Sequence, residues 1–406
     1  MNQKELEELA MAYALKNALA YGGKSQVGSV ISGLFNEGLK KDDIKNFSKK
    51  ILEIVNEVNK LSLFEQEKEF KNLEKLTSHR KVREGLSDLP GAKKGKVIMR
   101  FAPSPSGALH VGHALTACLS YDYVQKYGGK FIFRIEDTNP ENIYEPAYEL
   151  LTKDAEWLFN GDAGIIIQSD RMKKYYSYAE KLIKKNSCYV CICSGDKFRE
   201  FVQEKKNCSC RKLSSKENLE RWKKMLDKNG FKEGGAVLRF KSSMSHKNPA
   251  MRDFPLARIN ETKHPRQKNK YRVWPLMNLA VSVDDIEMKM THIIRAKEHR
   301  DNSERQKMIF KALGKKFPWV GFLGRIHLKD MKLSSTEITQ GIKDGKYSGW
   351  DDPKLMTISS LEKQGYHPIA FWKFAEHIGL SENDKILDKK DFFELLDTFN
   401  KKESKI

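Results

Sequence analysis

Two histidines, His110 and His113, stand three residues apart where a proline-rich loop leads into a candidate helix. At a helix start both rings lie on one face. Free backbone N–H groups and the positive end of the helix dipole favour a phosphate there. The imidazole N–H groups could stabilise charge that develops on an α-phosphate, and Gly112 between them would let a flat ring approach the backbone. A His-x-x-His pair alone is weak evidence, so the preceding strand and proline loop carry the interpretation.

Five of the six cysteines fall between Cys188 and Cys210. In a chain without an export signal, such clustering favours a metal over disulfides. Four thiols form two tight pairs that suit a closed tetrahedral Zn²⁺ site: Cys191, Cys193, Cys208 and Cys210. Cys188 is a substitute ligand, and reduced thiols without a metal remain the alternative, because C-x-C is less diagnostic than C-x-x-C.

The chain carries 74 Lys and Arg against 54 acidic residues, a formal charge of +20. This excess favours a polyanionic partner, with nucleic acid the first candidate. The alternative is a lysine-rich surface that is simply solvated. No apolar run is long enough for a transmembrane helix, and the N-terminal residues lack a signal-peptide layout, so we expect a cytoplasmic protein.

The elements that must position these residues alternate between strand and helix. Apolar runs at 97–101 and 131–135 predict buried strands, and residues 109–127 between them predict a helix. Strand, helix and strand form a βαβ unit, which implies a parallel sheet. A further helix near 143–159 and a strand at 165–167 continue the alternation. The pattern predicts an α/β fold with a doubly wound, Rossmann-type parallel sheet.

Several spaced motifs resemble those of one known family. The strings RFAPSPSGALHVGHA (100–114) and GGKFIFRIEDTNPE (128–141) resemble the archaeal and eukaryotic type of glutamyl-tRNA synthetase, a class I aminoacyl-tRNA synthetase. Further motifs agree in order: QSDR at 168–171, HKNPAMRD at 246–253, IIRAKEH at 293–299 and SGWDDP at 348–353. The glutaminyl relative typically has Pro-Glu-Pro-Asn and Phe-Asp-Asp in the first two places. Pro-Ser-Pro-Ser and Ile-Glu-Asp here therefore favour glutamate.

The resemblance and the alternation together give the expected regions. They are a helical N-terminal region (1–90), the first half of a nucleotide-binding catalytic domain (91–185), an inserted acceptor-stem-binding subdomain with the zinc site (186–270), the second half of the catalytic domain (271–345) and a helical junction subdomain (346–406).

The resemblance also implies a pocket for L-glutamate. Its expected residues are Arg100, Ala102, Ser104, Glu136, Met277 and Arg295. Arg100 can hold a carboxylate with a two-pronged hydrogen bond, Glu136 can take the α-ammonium group, and Arg295 would read the side-chain carboxylate. A neutral glutamine amide would leave Arg295 buried without its anion. Met277 stands where the family usually has Tyr, which removes one hydroxyl donor.

For ATP and Mg²⁺, the resemblance implies a set of binding residues: His110, Gly112, His113, Lys332, Ser334 and Ser335. His110, His113 and Lys332 are the expected catalytic residues. A glutamate carboxylate is already an anion at neutral pH, so its attack on the α-phosphorus needs alignment and charge stabilisation rather than a base. Ser335 replaces a family lysine, and Glu337 stands where a basic residue is usual and would repel a triphosphate unless it faces solvent or pairs with Lys332.

The expected partners are tRNA(Glu) and, for a non-discriminating enzyme, tRNA(Gln). Family members continue beyond residues 379–384 into β-barrels that grip the anticodon, whereas this sequence ends at Ile406. We therefore expect these barrels to be supplied by a second chain, lost by truncation or dispensable. The alternatives to tRNA charging are glutamylation of a modified tRNA base by a shortened paralogue, and a catalytically weak tRNA-binding scaffold.

Overall fold

The computed structural model describes residues 3–77, 85–329 and 334–401. The chain separates into two compact units, Met1–Glu84 and Gly85–Ile406. No helix within the described ranges combines the length and the apolar character needed to cross a membrane.

The N-terminal unit is helical, as predicted. Its helices are α1 (Gln3–Ala20), α2 (Val27–Asn36), α3 (Ile44–Val58) and α4 (Leu63–Leu73). Leu6 and Leu15 of α1 pack with Val30 of α2 and Ile51 of α3 in one buried core. The buried Gln66 amide donates to backbone carbonyls, including that of Val58 (2.9 Å), so its own N–H groups are satisfied. Apolar burial and polar satisfaction therefore hold this unit together.

The second unit holds the strands and the remaining helices. The strands are β1 (Ile98–Phe101), β2 (Lys130–Ile135), β3 (Gly164–Ile167), β4 (Cys188–Cys191), β5 (Val237–Phe240), β6 (Pro255–Ile259), β7 (Val273–Pro275), β8 (His292–Ala296), β9 (Trp319–Leu323), β10 (Ile326–Leu328) and β11 (Lys385–Leu387). The helices are α5 (Val111–Tyr127), α6 (Ala147–Leu158), α7 (Met172–Lys184), α8 (Gly195–Gln203), α9 (Ser215–Leu226), α10 (Met277–Glu287), α11 (Arg300–Leu313), α12 (Ser335–Lys343), α13 (Ile358–Lys363), α14 (Pro368–Ile378) and α15 (Lys389–Lys401).

Parallel strands confirm the predicted α/β class. β1, β2 and β3 pair in parallel, and β8 pairs in parallel with β9. The two ladders meet at Thr291, whose N–H donates to the Ile98 carbonyl (3.0 Å) and whose hydroxyl accepts from the Ile98 N–H (2.9 Å). β8 therefore lies beside β1, and the strands lie in the order β9, β8, β1, β2, β3.

Between the two ladders the chain forms a separate antiparallel sheet. Its strands lie in the order β4, β5, β6, β7, and helices α8 and α9 lie between β4 and β5 in the sequence. Trp222 and Trp274, both fully buried, pack in its core with Leu238. This antiparallel sheet lies in the sequence between the two parallel ladders, and its last strand, β7, lies beyond the expected bound at residue 270. The assignment of residues 186–270 to the acceptor stem stays a prediction.

The C-terminal residues are mostly helical, with one strand that the sequence did not reveal. β11 pairs in parallel with β10 through Ile326 and Lys385. Three residues are too few for a periodic pattern, and their partner lies about sixty residues earlier in the chain, so only the tertiary fold shows this strand. Phe392 and Leu396 of α15 are fully buried, and the ring of Phe392 lies 5.2 Å from that of Phe374.

A carboxyl group in the α5–α14 contact gives the fold a pH dependence. Asp122 Oδ2 is shielded from solvent and has no hydrogen-bond partner among the described residues. Burial, followed by the charge of Glu376, raises the pKa of Asp122 to about 8. Because the folded state holds a proton that the unfolded state releases near pH 4, the free energy of unfolding falls as pH rises from about 4 to about 8.

We therefore expect Asp122→Asn to stabilise the protein at pH 8, raising the melting temperature by roughly 2–4 °C, and to have little effect near pH 4. Thermal unfolding at both pH values measures the difference. Asp196→Asn, at an exposed position on α8, serves as the control. Equal melting temperatures of wild type and Asp122→Asn at pH 8 would exclude this role for Asp122.

Candidate active site

A cavity of about 730 Å³ opens at the carboxyl ends of β1 and β8. In parallel α/β sheets this edge is where ligands bind. The cavity contains all the predicted glutamate residues and part of the predicted ATP set: Arg100, Ala102, Ser104, His110, Gly112, His113, Glu136, Met277 and Arg295. Ser334 and Ser335 do not line it, and Lys332 lies outside the described residues.

The two histidines lie side by side at the start of α5. Their ring centroids are 3.7 Å apart, with an interplanar angle of 23°. His110 Nδ1 caps the helix by accepting the N–H groups of Gly112 (3.1 Å) and His113 (3.4 Å). The predicted helix therefore begins at Val111 rather than at 109, because His110 keeps an extended backbone as the N-cap.

Both rings are neutral near pH 7. Burial, followed by the neighbouring His113, lowers the pKa of His110 to about 3, and burial lowers the pKa of His113 to about 4. Since Nδ1 of His110 accepts hydrogen bonds, the single proton of the neutral ring lies on Nε2. The pair can therefore donate hydrogen bonds to an anion without bringing permanent positive charge.

Gly112 has a local role besides the one predicted. A Cβ at this position would lie 3.1 Å from Cε1 of His110. The capping ring therefore occupies the space that a side chain would need. A glycine between the histidines lets the first of them fold back over the helix end.

The loop before the histidines is held by residues that the sequence did not assign to the site. The Leu109 N–H donates to the buried Asp154 Oδ2 of α6 (2.7 Å). Trp350 packs against the loop so closely that a Cβ on Gly107 would lie 2.2 Å from its ring. Trp350 belongs to the SGWDDP motif. This motif indicated the family, but it did not predict a contact with the loop. Helix α6 and the segment around Trp350 thus fix the position of His110.

Arg100 is already engaged within the protein. Its Nε and Nη2 donate to Oδ1 (2.7 Å) and Oδ2 (3.0 Å) of the buried Asp285. Through Nε and Nη2, Arg100 therefore makes to Asp285 the two-pronged bond that was predicted for a substrate carboxylate. Asp285 Oδ1 also accepts from Nη1 of the buried Arg134 (2.7 Å). A role of Arg100 in glutamate binding stays a prediction, and it would use the N–H groups of Nη1 and Nη2 that do not donate to Asp285.

One carboxylate oxygen of Glu136 already has a hydrogen-bond partner within the protein. Its Oε1 accepts from Arg134 Nη2 (2.8 Å), and the same guanidinium also contacts Asp285. The side chain of Glu136 lines the cavity and is partly exposed. A carboxylate oriented by a buried arginine can accept an ammonium group from a ligand.

Arg295 carries the charge that the protein leaves uncompensated. Its side chain is 8 % exposed, and Nη1 donates to two neutral acceptors, Ser303 Oγ (3.0 Å) and Gln306 Oε1 (2.9 Å). Its Nε is buried without a hydrogen-bond partner, and no carboxylate within the described ranges lies in ion-pair distance. Burial, followed by the charge of Arg100, lowers the pKa of Arg295 to about 10. It is still a cation near pH 7, and an anionic ligand in the cavity would supply the partner that this guanidinium lacks.

The family described as tRNA synthetases class I (E and Q), catalytic domain, matches residues 96–402. The chain belongs to this family.

Two archaeal relatives of this class I synthetase are named glutamate--tRNA ligase. The protein from Methanobrevibacter smithii is 41% identical over 397 residues, which cover 96% of this chain and 70% of the relative. The protein from Pyrococcus abyssi is 43% identical over 393 residues, covering 94% and 68%. The crystal structure of a glutamate tRNA ligase from Elizabethkingia meningosepticum, in complex with its amino acid, has a TM-score of 0.54. At 22% identity, over 76% of this chain and 69% of that one, it supports the fold.

Met277, where the resemblance led us to expect a tyrosine, lies in the cavity. It is the first residue of α10, lines the cavity and is 38 % exposed. A thioether supplies only a weak acceptor where a tyrosine hydroxyl could donate.

Ser334, which was predicted to bind ATP, caps α12. Its hydroxyl accepts from the N–H of Glu337 (3.4 Å), and Glu337 is exposed. The roles of Ser334 and Ser335 towards ATP in this synthetase stay predictions.

The four predicted thiols meet in the insertion of the synthetase. The sulfur atoms of Cys191, Cys193, Cys208 and Cys210 all lie within 4.8 Å of one another. Tetrahedral zinc with Zn–S bonds of about 2.3 Å places its sulfurs roughly 3.8 Å apart, so the group fits the ion closely. Cys188 lies in a different core, beside Leu238, and does not join them. The arrangement has four donors and no open position, which suits a structural rather than a catalytic metal.

We expect purified synthetase to contain about one zinc atom per chain, and Cys208→Ser to abolish that content because three thiolates leave the site open. Metal analysis by mass spectrometry measures the zinc. Cys188→Ser, a buried cysteine outside the cluster, serves as the control and should keep its metal. A wild-type protein that melts identically with and without a chelator would contradict a structural zinc.

Proposed function

We propose that this chain ligates L-glutamate to tRNA(Glu) at the expense of ATP, by way of a glutamyl-adenylate. The observation that carries the proposal is Arg295, a buried cation held by neutral acceptors in the cavity that also contains the histidine pair. Its relatives of about 41% identity are named for this activity. An amino acid with a side-chain carboxylate supplies the missing anion, and glutamine does not.

In the proposed complex the glutamate side chain pairs with Arg295. Its α-ammonium group lies against Glu136, which Arg134 already orients. The α-carboxylate then faces the start of α5. Ala102 and Ser104 complete the pocket wall. Binding by preformed, oppositely charged groups aligns the attacking carboxylate without any change in its protonation.

ATP is expected to place its α-phosphate near the histidine pair. Neutral His110 and His113 donate hydrogen bonds as charge develops on the phosphate, a role that suits preformed donors at a helix start. Mg²⁺ neutralises part of the triphosphate charge. It would arrive on the phosphates rather than in a protein cage, and the described part of the cavity offers no cluster of three acidic groups. Lys332, Ser334 and Ser335 complete the proposed phosphate contacts.

The second step transfers glutamate to a hydroxyl of the terminal tRNA adenosine. The antiparallel sheet of β4 to β7 is the proposed contact for the acceptor stem, and the net charge of +20 favours such a polyanion. Charging of tRNA(Gln) as well would make the enzyme non-discriminating. The relatives and the family match give no support to a second chain.

Charging of a tRNA(Glu) transcript with labelled glutamate tests the proposal. ATP-dependent label at the transcript's 3′ end is the expected result, and it should disappear when periodate oxidation destroys the terminal diol. No label on the transcript, together with label on modified tRNA isolated from cells, would instead identify the modified-base paralogue. Folded protein that binds tRNA but attaches no label would favour the scaffold.

A further inference from the structure

We infer that Gln306 is a positioning residue for Arg295: its neutral acceptor holds the guanidinium and leaves the charge for the substrate. The inference rests on the proposed function, since it names the residue that keeps Arg295 in place and charged for a glutamate side chain. Gln306 lies behind Arg295, on α11, and is fully buried.

The contacts of Arg295 show how this positioning works. Its Nη1 donates to Gln306 Oε1 (2.9 Å) and to Ser303 Oγ (3.0 Å), which lies three residues earlier on the same helix face. Both acceptors are neutral, so they fix the guanidinium without cancelling its charge. The carboxylates nearest the site, Asp285 and Glu136, are paired with Arg100 and Arg134 instead.

A chain of amides fixes the orientation of Gln306. Its Nε2 donates to Asn278 Oδ1 (3.3 Å), and Asn278 Nδ2 donates to Asn302 Oδ1 (3.3 Å). Arg305 Nη1 also donates to Asn302 Oδ1 (3.0 Å). Arginine can only donate, so Arg305 at one end and Arg295 at the other both require an oxygen. One orientation of the three amides satisfies every contact, and it presents Gln306 Oε1 to Arg295.

This chain also connects the glutamate pocket with the insertion. Arg305 Nε donates to the Ala250 carbonyl (2.7 Å), which lies between β5 and β6. The HKNPAMRD motif, which contains Ala250, is therefore held by the same hydrogen-bonded row that positions Arg295. The backbone of the insertion and Gln306 therefore share one row of hydrogen bonds.

A carboxylate in place of the Gln306 amide tests the inference, because it has nearly the same shape and would neutralise Arg295. We expect Gln306→Glu to lower kcat/KM for glutamate charging by about 10²-fold and to reduce the glutamate-to-glutamine ratio by a similar factor. Ser303→Asp brings a carboxylate to the same Nη1 and should reduce the same ratio, so one misfolded variant does not end the test.

Gln306→Met separates the effect of positioning Arg295 from the effect of neutralising its charge. The variant removes the acceptor but brings no carboxylate to Arg295. We expect charging with both amino acids to fall together, so that the glutamate-to-glutamine ratio changes by less than about threefold. Gln203→Glu, the same exchange at an exposed position, is the control and should behave as wild type. Melting temperatures and calorimetric glutamate affinity are recorded for each variant.

The outcomes distinguish a failure of the proposed function from a failure of the inference about Gln306. A wild-type protein that does not charge tRNA with glutamate would overturn the proposed function. A wild-type protein that does so, while folded Gln306→Glu and Ser303→Asp keep the wild-type ratio, would overturn the inference about Gln306 alone.

Discussion

Arg295→Met should lower kcat/KM for glutamate charging by about 10²–10³-fold, because it removes the cation that is expected to pair with the side-chain carboxylate. The methionine keeps the apolar stem of arginine and its packing. Ser303 and Gln306 lose the hydrogen-bond donor that Arg295 supplies. Their side chains can still form hydrogen bonds with water or with other neighbouring groups. The loss should therefore lie in substrate recognition rather than in folding.

Aminoacylation measured over a range of glutamate concentrations, with tRNA present, gives this value. Arg300→Met is the matched control: Arg300 is exposed at the start of α11 and pairs with Glu382 (2.6 Å) outside the cavity. It should retain activity within a fewfold of wild type. If Arg295→Met charged glutamate as well as Arg300→Met does, the side-chain carboxylate would have to bind elsewhere.

Asp285→Asn should lower the free energy of unfolding by about 3–5 kcal/mol, because it leaves two buried guanidinium groups without their shared anion. Asp285 is 2 % exposed and accepts from Arg100 (2.7 and 3.0 Å) and from Arg134 (2.7 Å). Although burial alone would raise the pKa of Asp285, the two arginines lower it to about 2. Its contribution to stability is present above about pH 4 and is lost only as pH falls towards 2.

Urea unfolding at pH 7 measures this loss, with Asp196→Asn as an exposed control expected to change stability by less than about 0.5 kcal/mol. Glutamate affinity gives a second readout, since Arg100 would lose the contact that orients it. A folded Asp285→Asn protein with wild-type stability would show that Arg100 and Arg134 find other partners.

The sequence predicted the parts of the site that are close together in the chain. His110, Gly112 and His113 fall within a single helix turn, and their spacing alone places them at one helix end. The four thiols are similar, since they form two short pairs, one at the end of β4 and one after α8, which the fold brings together. Motif order then added Arg295 and Glu136 through family resemblance rather than through any local pattern.

The residues that position these groups could not be predicted in the same way. Arg100 and Asp285 are separated by 185 positions, and nothing local indicates that they pair. The paired aspartates on the apolar α10 were a usable signal, because buried carboxylates require partners. Ser303 and Gln306 lie three residues apart on α11 and share one helix face. The sequence does not show that this face contacts Arg295, because the contact depends on how α11 packs against β8.

A buried cation without a carboxylate partner should make this site select an anionic side chain. The ratio of kcat/KM for glutamate to that for glutamine, measured with wild-type protein and one tRNA(Glu) transcript, tests this selection. We expect a ratio of about 10³ or more, because glutamine would leave Arg295 without its anion. A ratio near one, with efficient charging by both amino acids, would contradict it.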